Sequence, residues 1–221
     1  MFKLYTAPGT CALASHIALE EAGASYTAER LDFKNSQQTT PQYLAINPKG
    51  RVPALVTDRG TLTESPAILA FIAQAFPNAK LVPQDSFAFA QVQSINNYLC
   101  STVHVAHAHK MRGARWATEE TSFADFKRKV PETMTACFTL IERDMLKGPW
   151  VMGEQYTICD PYLFTLTGWL DGDGVDLATL PKVMAHRQRI REPGGASRRN
   201  YRTRADSQGC GFRRSRPGIM G

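Results

Sequence analysis

Hydrophobic and polar positions in the first third of the chain alternate between strand and helix patterns. Residues 2–6, "FKLYT", form a short apolar run of β-prone residues. A helical spacing of apolar residues begins at Cys11 and stops at Gly23. A second strand is plausible over residues 25–33, whereas residues 34–46 form a polar connection with little pattern. These patterns predict a strand, a helix and a second strand.

A hairpin and a further helix follow along the chain. Residues 52–57, "VPALVT", and 61–63, "TLT", flank the polar turn "DRG", which indicates two antiparallel strands. A stripe of apolar residues that starts at Ile68 predicts a helix that ends before Pro77. The order β-α-β followed by β-β-α is typical of a thioredoxin-like layer, so we expect an α/β thioredoxin-like domain over residues 1–77.

The strand pattern disappears beyond residue 88, and the remaining apolar residues recur at helical spacing. Residues 78–88 show little pattern and suit a linker. Helices are predicted at about residues 88–115, 119–146, 157–171 and 178–190. A chain of 221 residues can bury two modest cores. We therefore expect an all-α domain over residues 89–190 after the thioredoxin-like domain.

The segment "YTICDPYLFTLTGWL", residues 156–170, carries a helix-capping signature. Thr157 stands three residues before Asp160, so its hydroxyl can accept from the Asp160 amide while the carboxylate accepts from the Thr157 amide. Because each group already has a backbone partner, we interpret Asp160 as a folding element and not as a catalytic acid.

Charge is distributed unevenly along the chain. Residues 1–190 contain 18 Lys and Arg against 18 Asp and Glu, so the formal net charge of +6 comes entirely from residues 191–221. That segment is rich in Arg, Gly and Ser and has no apolar periodicity, which favours an unstructured tail over an RNA-binding arm. A shifted reading frame would produce the same change in composition, and resequencing would detect it. We expect no nucleic-acid partner.

Several other classes of protein are disfavoured by the sequence. No apolar run reaches the roughly 20 residues that span a bilayer, and the opening residues lack a signal-peptide core. We therefore expect a cytoplasmic protein with no membrane partner. The five cysteines lack paired spacing, which argues against a disulfide framework or a zinc ribbon. His104, His107 and His109 do not share one helical face, so we expect no metal site.

The stretch "NPKGRVPALVTDRGTLTES" places two features of a peptide-binding site side by side. Pro53 lacks an amide hydrogen, and a cis Val52–Pro53 bond would leave the backbone of Val52 free to pair with an extended peptide. Ser65 begins the next helix, where free amides and the helix dipole favour an anion, and Glu64 could balance an ammonium group. An edge strand followed by a plain helix cap is the alternative interpretation.

Four stretches of the chain together resemble a known family. They are "KLYTAPGTCALASHIAL", "NPKGRVPALVTDRGTLTESPAIL", the "VH" at 103–104 and "TICDPYLFTL", in this order over roughly residues 1–190. They resemble the bacterial glutathione transferases, most closely the beta class. The resemblance implies a glutathione-binding thioredoxin-like domain, a helical domain that lines the site of a hydrophobic electrophile, and a homodimer. Glutathione would be the co-substrate, and no metal is implied.

The resemblance also implies roles for individual residues. Cys11 matches the active-site cysteine of the family, and His104 matches the histidine that approaches it from the helical domain. Val52 with Pro53 would pair with the cysteinyl backbone of glutathione. Further polar contacts to the γ-glutamyl end are implied at Glu64 and Ser65.

Other candidate contacts are less directly matched. Asn97, Ser101 and Thr102 fall on the helix segment that supplies polar contacts in the beta class. Lys34 stands near the position of a loop lysine of the family. We prefer Thr10 over Tyr5 as a candidate hydroxyl donor, because Tyr5 is one strand position away from the early tyrosine that some transferases use. His107 is a further candidate, since it shares a helical face with His104.

The role of Cys11 stays open between two kinds of chemistry. Glutathione reacts as a thiolate, and a free thiol with a pKa near 8.5 is mostly protonated at pH 7. Cys11 follows a Pro-Gly turn at the start of a helix, where amides and the dipole favour a sulfur anion. It either donates a hydrogen bond to the thiolate that attacks an electrophile, or is itself the thiolate in thiol-disulfide exchange. A non-catalytic glutathione- or ligand-binding protein of the same fold is the alternative function.

Overall fold

A four-stranded mixed sheet forms the first layer of the protein, in a computed structural model that describes residues 1–192. Its strands are β1 (Phe2–Thr6), β2 (Tyr26–Arg30), β3 (Ala54–Thr57) and β4 (Gly60–Thr63). Strands β1 and β2 run parallel, whereas β3 pairs antiparallel with both β1 and β4, which gives the order β2-β1-β3-β4. The predicted strands and hairpin are confirmed, with β2 shorter than expected.

Nine α-helices lie within the described residues. They are α1 (Ala12–Glu21), α2 (Pro41–Leu44), α3 (Ser65–Ala75), α4 (Ser86–Tyr98), α5 (His104–Ala108), α6 (Glu120–Leu140), α7 (Cys159–Thr167), α8 (Leu170–Asp173) and α9 (Pro181–Arg191). Helices α1 and α3 pack on each other and on the sheet, and α4 to α9 form an all-helical region. The predicted thioredoxin-like domain followed by an all-α region is confirmed.

The helical region differs in detail from the sequence prediction. The two long helices expected over residues 88–115 and 119–146 each contain a wider π-helical turn, at Leu99–Val103 and at Ile141–Met145. Apolar spacing does not distinguish such a turn from an α-helix. Helix α4 also begins at Ser86, inside the predicted linker, since the Asp85 carboxylate accepts a hydrogen bond from the Ala88 amide at 2.8 Å.

The connection between β2 and β3 is more regular than its sequence suggested. Residues 34–46 contain a single 3₁₀ turn at Gln37–Thr39 and the short helix α2. Thr40 caps α2 by accepting from the Tyr43 amide, and the Tyr43 ring is buried. A helix of four residues is too short to show apolar periodicity, so the sequence pattern missed it.

One apolar core joins the sheet to the helical region. Buried side chains of β1, β3, α1 and α3 belong to the same cluster as those of α4, α6 and α7. The two halves are therefore held against each other by packing and not by a flexible connection alone. The domain limits of residues 1–77, 78–88 and 89–190 stay a prediction.

The buried carboxylate of Asp160 organises the start of α7. It accepts hydrogen bonds from the Thr157 amide at 2.6 Å and from the Val151 amide at 2.8 Å, and His186 Nε2 lies 2.9 Å away. Asp160 and His186 are both fully buried. The predicted structural role of the Asp160 carboxylate is therefore confirmed, and the residue also links α7 to α9.

The second predicted hydrogen bond of this cap, from the Asp160 amide to the Thr157 hydroxyl, does not form. The Thr157 hydroxyl accepts from the Cys159 amide at 3.4 Å, and the Asp160 amide bonds instead to the Thr157 carbonyl at 3.0 Å. The chain already turns as a helix at Ile158, so the Asp160 amide is used by the backbone.

The C-terminal part of the chain was predicted to be an unstructured Arg-rich tail. From residue 193 onward this segment lies outside the described residues. Helix α9 extends to Arg191, one residue beyond its predicted end. None of the helices between residues 1 and 192 combines the length and apolar content needed to cross a bilayer.

We expect the substitution Asp160→Ala to lower the free energy of unfolding by about 3 to 5 kcal/mol, because it leaves several buried donors without an acceptor. Urea denaturation followed by circular dichroism measures this loss. The matched control is Asp176→Ala, which removes an exposed carboxylate that caps a short turn through the Ala178 amide. We expect the control to cost about 1 kcal/mol. Equal losses in the two variants would show that Asp160 is an ordinary cap.

Candidate functional site

A cavity of about 650 Å³ lies between the sheet and the helical region. Its lining includes eight of the twelve residues that the sequence analysis singled out for a site. Six come from the thioredoxin-like domain and two from α5, namely Thr10, Cys11, Val52, Pro53, Glu64, Ser65, His104 and His107. Residues that are far apart in the chain are thus brought to one cavity.

The other four predicted residues do not line this cavity, and their predicted contacts stay predictions. Asn97, Ser101 and Thr102 are exposed, whereas the intervening Leu99 and the following Val103 are buried. The α4 face that carries Asn97 therefore points to solvent, and the Ser101 hydroxyl donates to the Asn97 carbonyl at 2.8 Å. Lys34 is also exposed.

Cys11 lies at the turn before α1, on the sheet side of the cavity. Its Sγ is 3.6 Å from the carbonyl oxygen of Val52, in hydrogen-bonding range for sulfur. The Val52–Pro53 peptide bond is cis, as the sequence suggested. Thr10 does not cap α1: its hydroxyl donates to the Ala7 carbonyl at 2.7 Å and so closes the preceding turn.

The Cys11 thiol is held in its protonated form. Burial raises the pKa of the Cys11 thiol to about 11, and the Ser65 hydroxyl and the Arg112 guanidinium offset this effect only in part. The position at a helix start was expected to favour the anion, but desolvation outweighs it. At pH 7 this thiol is thus suited to donate a hydrogen bond.

The start of α3 forms the second part of the sheet-side wall. Ser65 is the first residue of this eleven-residue helix and is buried at the cavity. Glu64 precedes it with a φ of 71°, an uncommon conformation for a residue with a side chain. The Glu64 carboxylate lies 2.5 Å from Lys49 Nζ, which also donates to the Thr63 hydroxyl at 2.7 Å. An ammonium group bound at Glu64 would share that carboxylate with Lys49.

Aromatic rings form the helical wall. His107 stacks on Trp169 with ring centroids 4.1 Å apart and planes 15° apart, and the His104 ring lies 5.0 Å from the same tryptophan. Asp173 orients the His107 ring through an Nδ1–Oδ2 contact of 2.6 Å. Trp169 in turn donates from Nε1 to the Gly9 carbonyl at 3.0 Å, which connects the helical wall to the loop that carries Cys11.

His104 is neutral at physiological pH. Burial lowers the pKa of His104 to about 4, and the positive charge of Arg112 lowers it further, as do His107, Arg115 and Arg51. A neutral imidazole can both donate and accept a hydrogen bond at the cavity. Burial and the neighbouring positive charges thus keep His104 uncharged, as burial keeps the Cys11 thiol uncharged.

Comparison with known proteins identifies the family. The sequence family described as "Glutathione S-transferase, N-terminal domain" matches residues 1–74. Glutathione S-transferase GstA of Escherichia coli O157:H7 is 33% identical over 193 residues, which is 86% of this chain and 92% of that protein. The chain belongs to the glutathione S-transferase family.

Solved structures agree with this assignment. A glutathione transferase homologue from Sulfitobacter, solved with bound glutathione, is 48% identical with a TM-score of 0.88, over 95% of this chain and 99% of that one. The beta-class glutathione S-transferase of Sphingomonas chungbukensis is 31% identical with a TM-score of 0.76, over 89% of this chain and 96% of that one. The protein is therefore a bacterial glutathione transferase most like the beta class.

Several lining residues of this transferase were missed by the sequence analysis. Tyr162 and Trp169 are seven residues apart, a spacing that puts both on one helical face, and Cys100 lies four residues before His104. These spacings could have identified Tyr162, Trp169 and Cys100 as lining residues from the sequence. Arg112 and Arg115 follow the end of α5, in a segment without periodicity, so no pattern marks them.

Two further residues that the sequence analysis considered, Tyr5 and His109, lie outside the cavity lining. Tyr5 is buried against Tyr43, with ring centroids 5.4 Å apart, and does not line the cavity. His109 turns away and contacts the rings of Trp116 and Phe126. Across residues 1–192 no group of three or more His, Cys, Asp or Glu side chains is arranged to hold a metal ion.

We expect the imidazole of His104 to titrate near pH 4, since burial and the adjacent arginines disfavour its protonation. Proton-carbon NMR of the ring Cε1–H signals between pH 3.5 and 8 measures this pKa. A His104→Gln variant assigns the signal by its loss. A pKa at or above 6 would show that the ring is solvated, contrary to this account.

Proposed function

We propose that the protein binds glutathione in the cavity between its sheet and helical region and promotes attack of the glutathione thiolate on an electrophilic small molecule. The observation that carries this proposal is the convergence of Cys11, the Val52 backbone and Ser65 on one cavity, with His104 on the opposite wall. The bound glutathione of the Sulfitobacter homologue supports it, since that protein is 48% identical to this chain.

The γ-glutamyl and cysteinyl parts of glutathione have chemically suitable neighbours. The γ-glutamyl carboxylate would lie at the start of α3, where Ser65 and free amides favour an anion. The γ-glutamyl ammonium would contact Glu64, and the cysteinyl backbone would pair with Val52. The glutathione sulfur would then lie beside Cys11 Sγ, on the side that faces His104.

The reaction needs the glutathione thiol to lose its proton. Cys11 then donates a hydrogen bond to the glutathione thiolate, which lowers the pKa of the bound thiol by stabilising its anion. The sulfur attacks an electrophilic carbon and forms a C–S bond, and the leaving group departs with the electrons of the bond that breaks. Neutral His104 supplies a second polar contact without introducing a charge.

A protonated Cys11 favours this reaction over thiol-disulfide exchange, in which the Cys11 thiolate itself would attack a disulfide. The identification of the family also does not favour a non-catalytic binding protein. We further propose a homodimer, a cytoplasmic location and a role in detoxification, which the family resemblance suggests. The hydrophobic electrophile would contact Trp169 on the helical wall and Phe33 on the sheet side of the cavity.

We expect Cys11→Ala to lower kcat/KM for 1-chloro-2,4-dinitrobenzene roughly tenfold to a hundredfold, the effect of losing one hydrogen bond to an anion. Cys11→Ser keeps a donor at this position and should retain most of the activity. The assay follows the absorbance of the conjugate, corrected for the uncatalysed reaction.

The control variant is Cys137→Ala, which replaces a buried cysteine of α6 that does not line the cavity. Equal loss of activity in Cys11→Ser and Cys11→Ala would instead indicate a nucleophilic thiolate. Binding of glutathione without turnover above the uncatalysed rate would favour the non-catalytic protein.

A further inference from the structure

Three guanidinium groups line the cavity together. They belong to Arg51 on the sheet side and to Arg112 and Arg115 just beyond α5. Within residues 1–192 none of the three takes part in an ion pair or donates a side-chain hydrogen bond. The one acidic residue of the described lining is Glu64, whose carboxylate is paired with Lys49. The cavity therefore carries a local excess of positive charge, although residues 1–190 are neutral in total.

The like charges of these three cavity-lining guanidinium groups affect one another. Arg115 is largely exposed, but its partial burial lowers its pKa, and the like charges of Arg112 and Arg51 lower it further. The same charges disfavour protonation of His104. An anion in the cavity would relieve this repulsion, because opposite charges attract more strongly in a partly desolvated site than in water.

The carboxylates of glutathione could pair with only part of this positive charge. Its γ-glutamyl carboxylate is assigned to Ser65 under the proposed function, which leaves its glycyl carboxylate. Arg51 directly precedes Val52, on the wall where the glutathione backbone would lie. Its guanidinium is therefore the candidate partner of the glycyl carboxylate. Arg112 and Arg115 stand on the helical wall with His107 and Trp116, where the electrophile would lie.

Aromatic rings line the same cavity as Arg112 and Arg115. The stacked rings of His107 and Trp169 line the cavity, and so does Trp116, which is 44% exposed and adjacent to Arg115 in the chain. A planar ring packs well on such faces, and a guanidinium pair binds an oxyanion with directed hydrogen bonds. We propose that the electrophile of this transferase is a planar aromatic compound with a carboxylate or similar oxyanion, which Arg112 and Arg115 bind. This inference rests on the proposed function.

A chlorinated dinitrobenzoate illustrates the reaction. The glutathione thiolate attacks the ring carbon that carries chlorine, a C–S bond forms, and the C–Cl bond breaks as chloride leaves with the bonding electrons. The carboxylate is unchanged throughout and serves only for binding. The thiol proton is released to solvent.

The experiment compares two electrophiles that differ in charge. One is 1-chloro-2,4-dinitrobenzene, and the other is 4-chloro-3,5-dinitrobenzoate, each corrected for its uncatalysed rate with glutathione. We expect the kcat/KM ratio of anionic to neutral substrate to fall roughly tenfold or more in an Arg112→Gln, Arg115→Gln double variant, since hydrogen bonds to a charged group are lost. Arg59→Gln is the matched control, because Arg59 is an exposed arginine of the β3–β4 turn outside the cavity. Its ratio should equal that of the wild type.

The salt dependence of the wild-type kcat/KM ratio and the KM for glutathione distinguish the remaining interpretations. Raising the salt concentration should lower the wild-type ratio, because exposed Arg115 is screened. An unchanged ratio in the double variant overturns the inference and leaves the proposed function intact. A rise in KM for glutathione without a change in the ratio assigns both arginines to the glycyl carboxylate and also overturns it. Failure of wild-type protein to convert either electrophile rejects the proposed function and the inference together.

Discussion

The buried Asp160 carboxylate is the contact on which the arrangement of the cavity depends. It holds the loop before α7 through the Val151 and Thr157 amides and ties α7 to α9 through His186. Helix α7 packs on α1 and leads to Trp169, whose indole bonds to the Gly9 carbonyl beside the Cys11 turn. The distance between the two walls of the cavity thus follows from a folding interaction that takes no part in the chemistry.

Desolvation decides the protonation states within that cavity. Burial raises the pKa of Cys11 and lowers that of His104, so both groups are neutral hydrogen-bonding partners at pH 7. The positive charge comes instead from arginines, which stay protonated in proteins. A cavity of neutral donors within a positive field favours an anion supplied by the substrate, such as the glutathione thiolate, over an anion formed on the protein.

Much of the fold could be predicted from the sequence, because strand and helix periodicities, the turn within the hairpin and the Thr157–Asp160 spacing are local signals. The cis Val52–Pro53 bond and the cavity position of Ser65 also followed from local chemistry. Asn97 and Ser101 were placed by the family resemblance alone, and in the single chain both are exposed outside the cavity lining. The raised pKa of Cys11 could not be read locally, since it depends on burial by distant residues.

The central claim is that one cavity holds glutathione with its sulfur beside Cys11 and its γ-glutamyl end at Ser65. A crystal structure of the protein grown with S-methylglutathione tests this claim most directly, because the blocked sulfur cannot react. We expect electron density for the tripeptide along Val52, with the sulfur within about 4 Å of Cys11 Sγ. Density for the ligand elsewhere on the protein, with the cavity filled only by solvent, would contradict it.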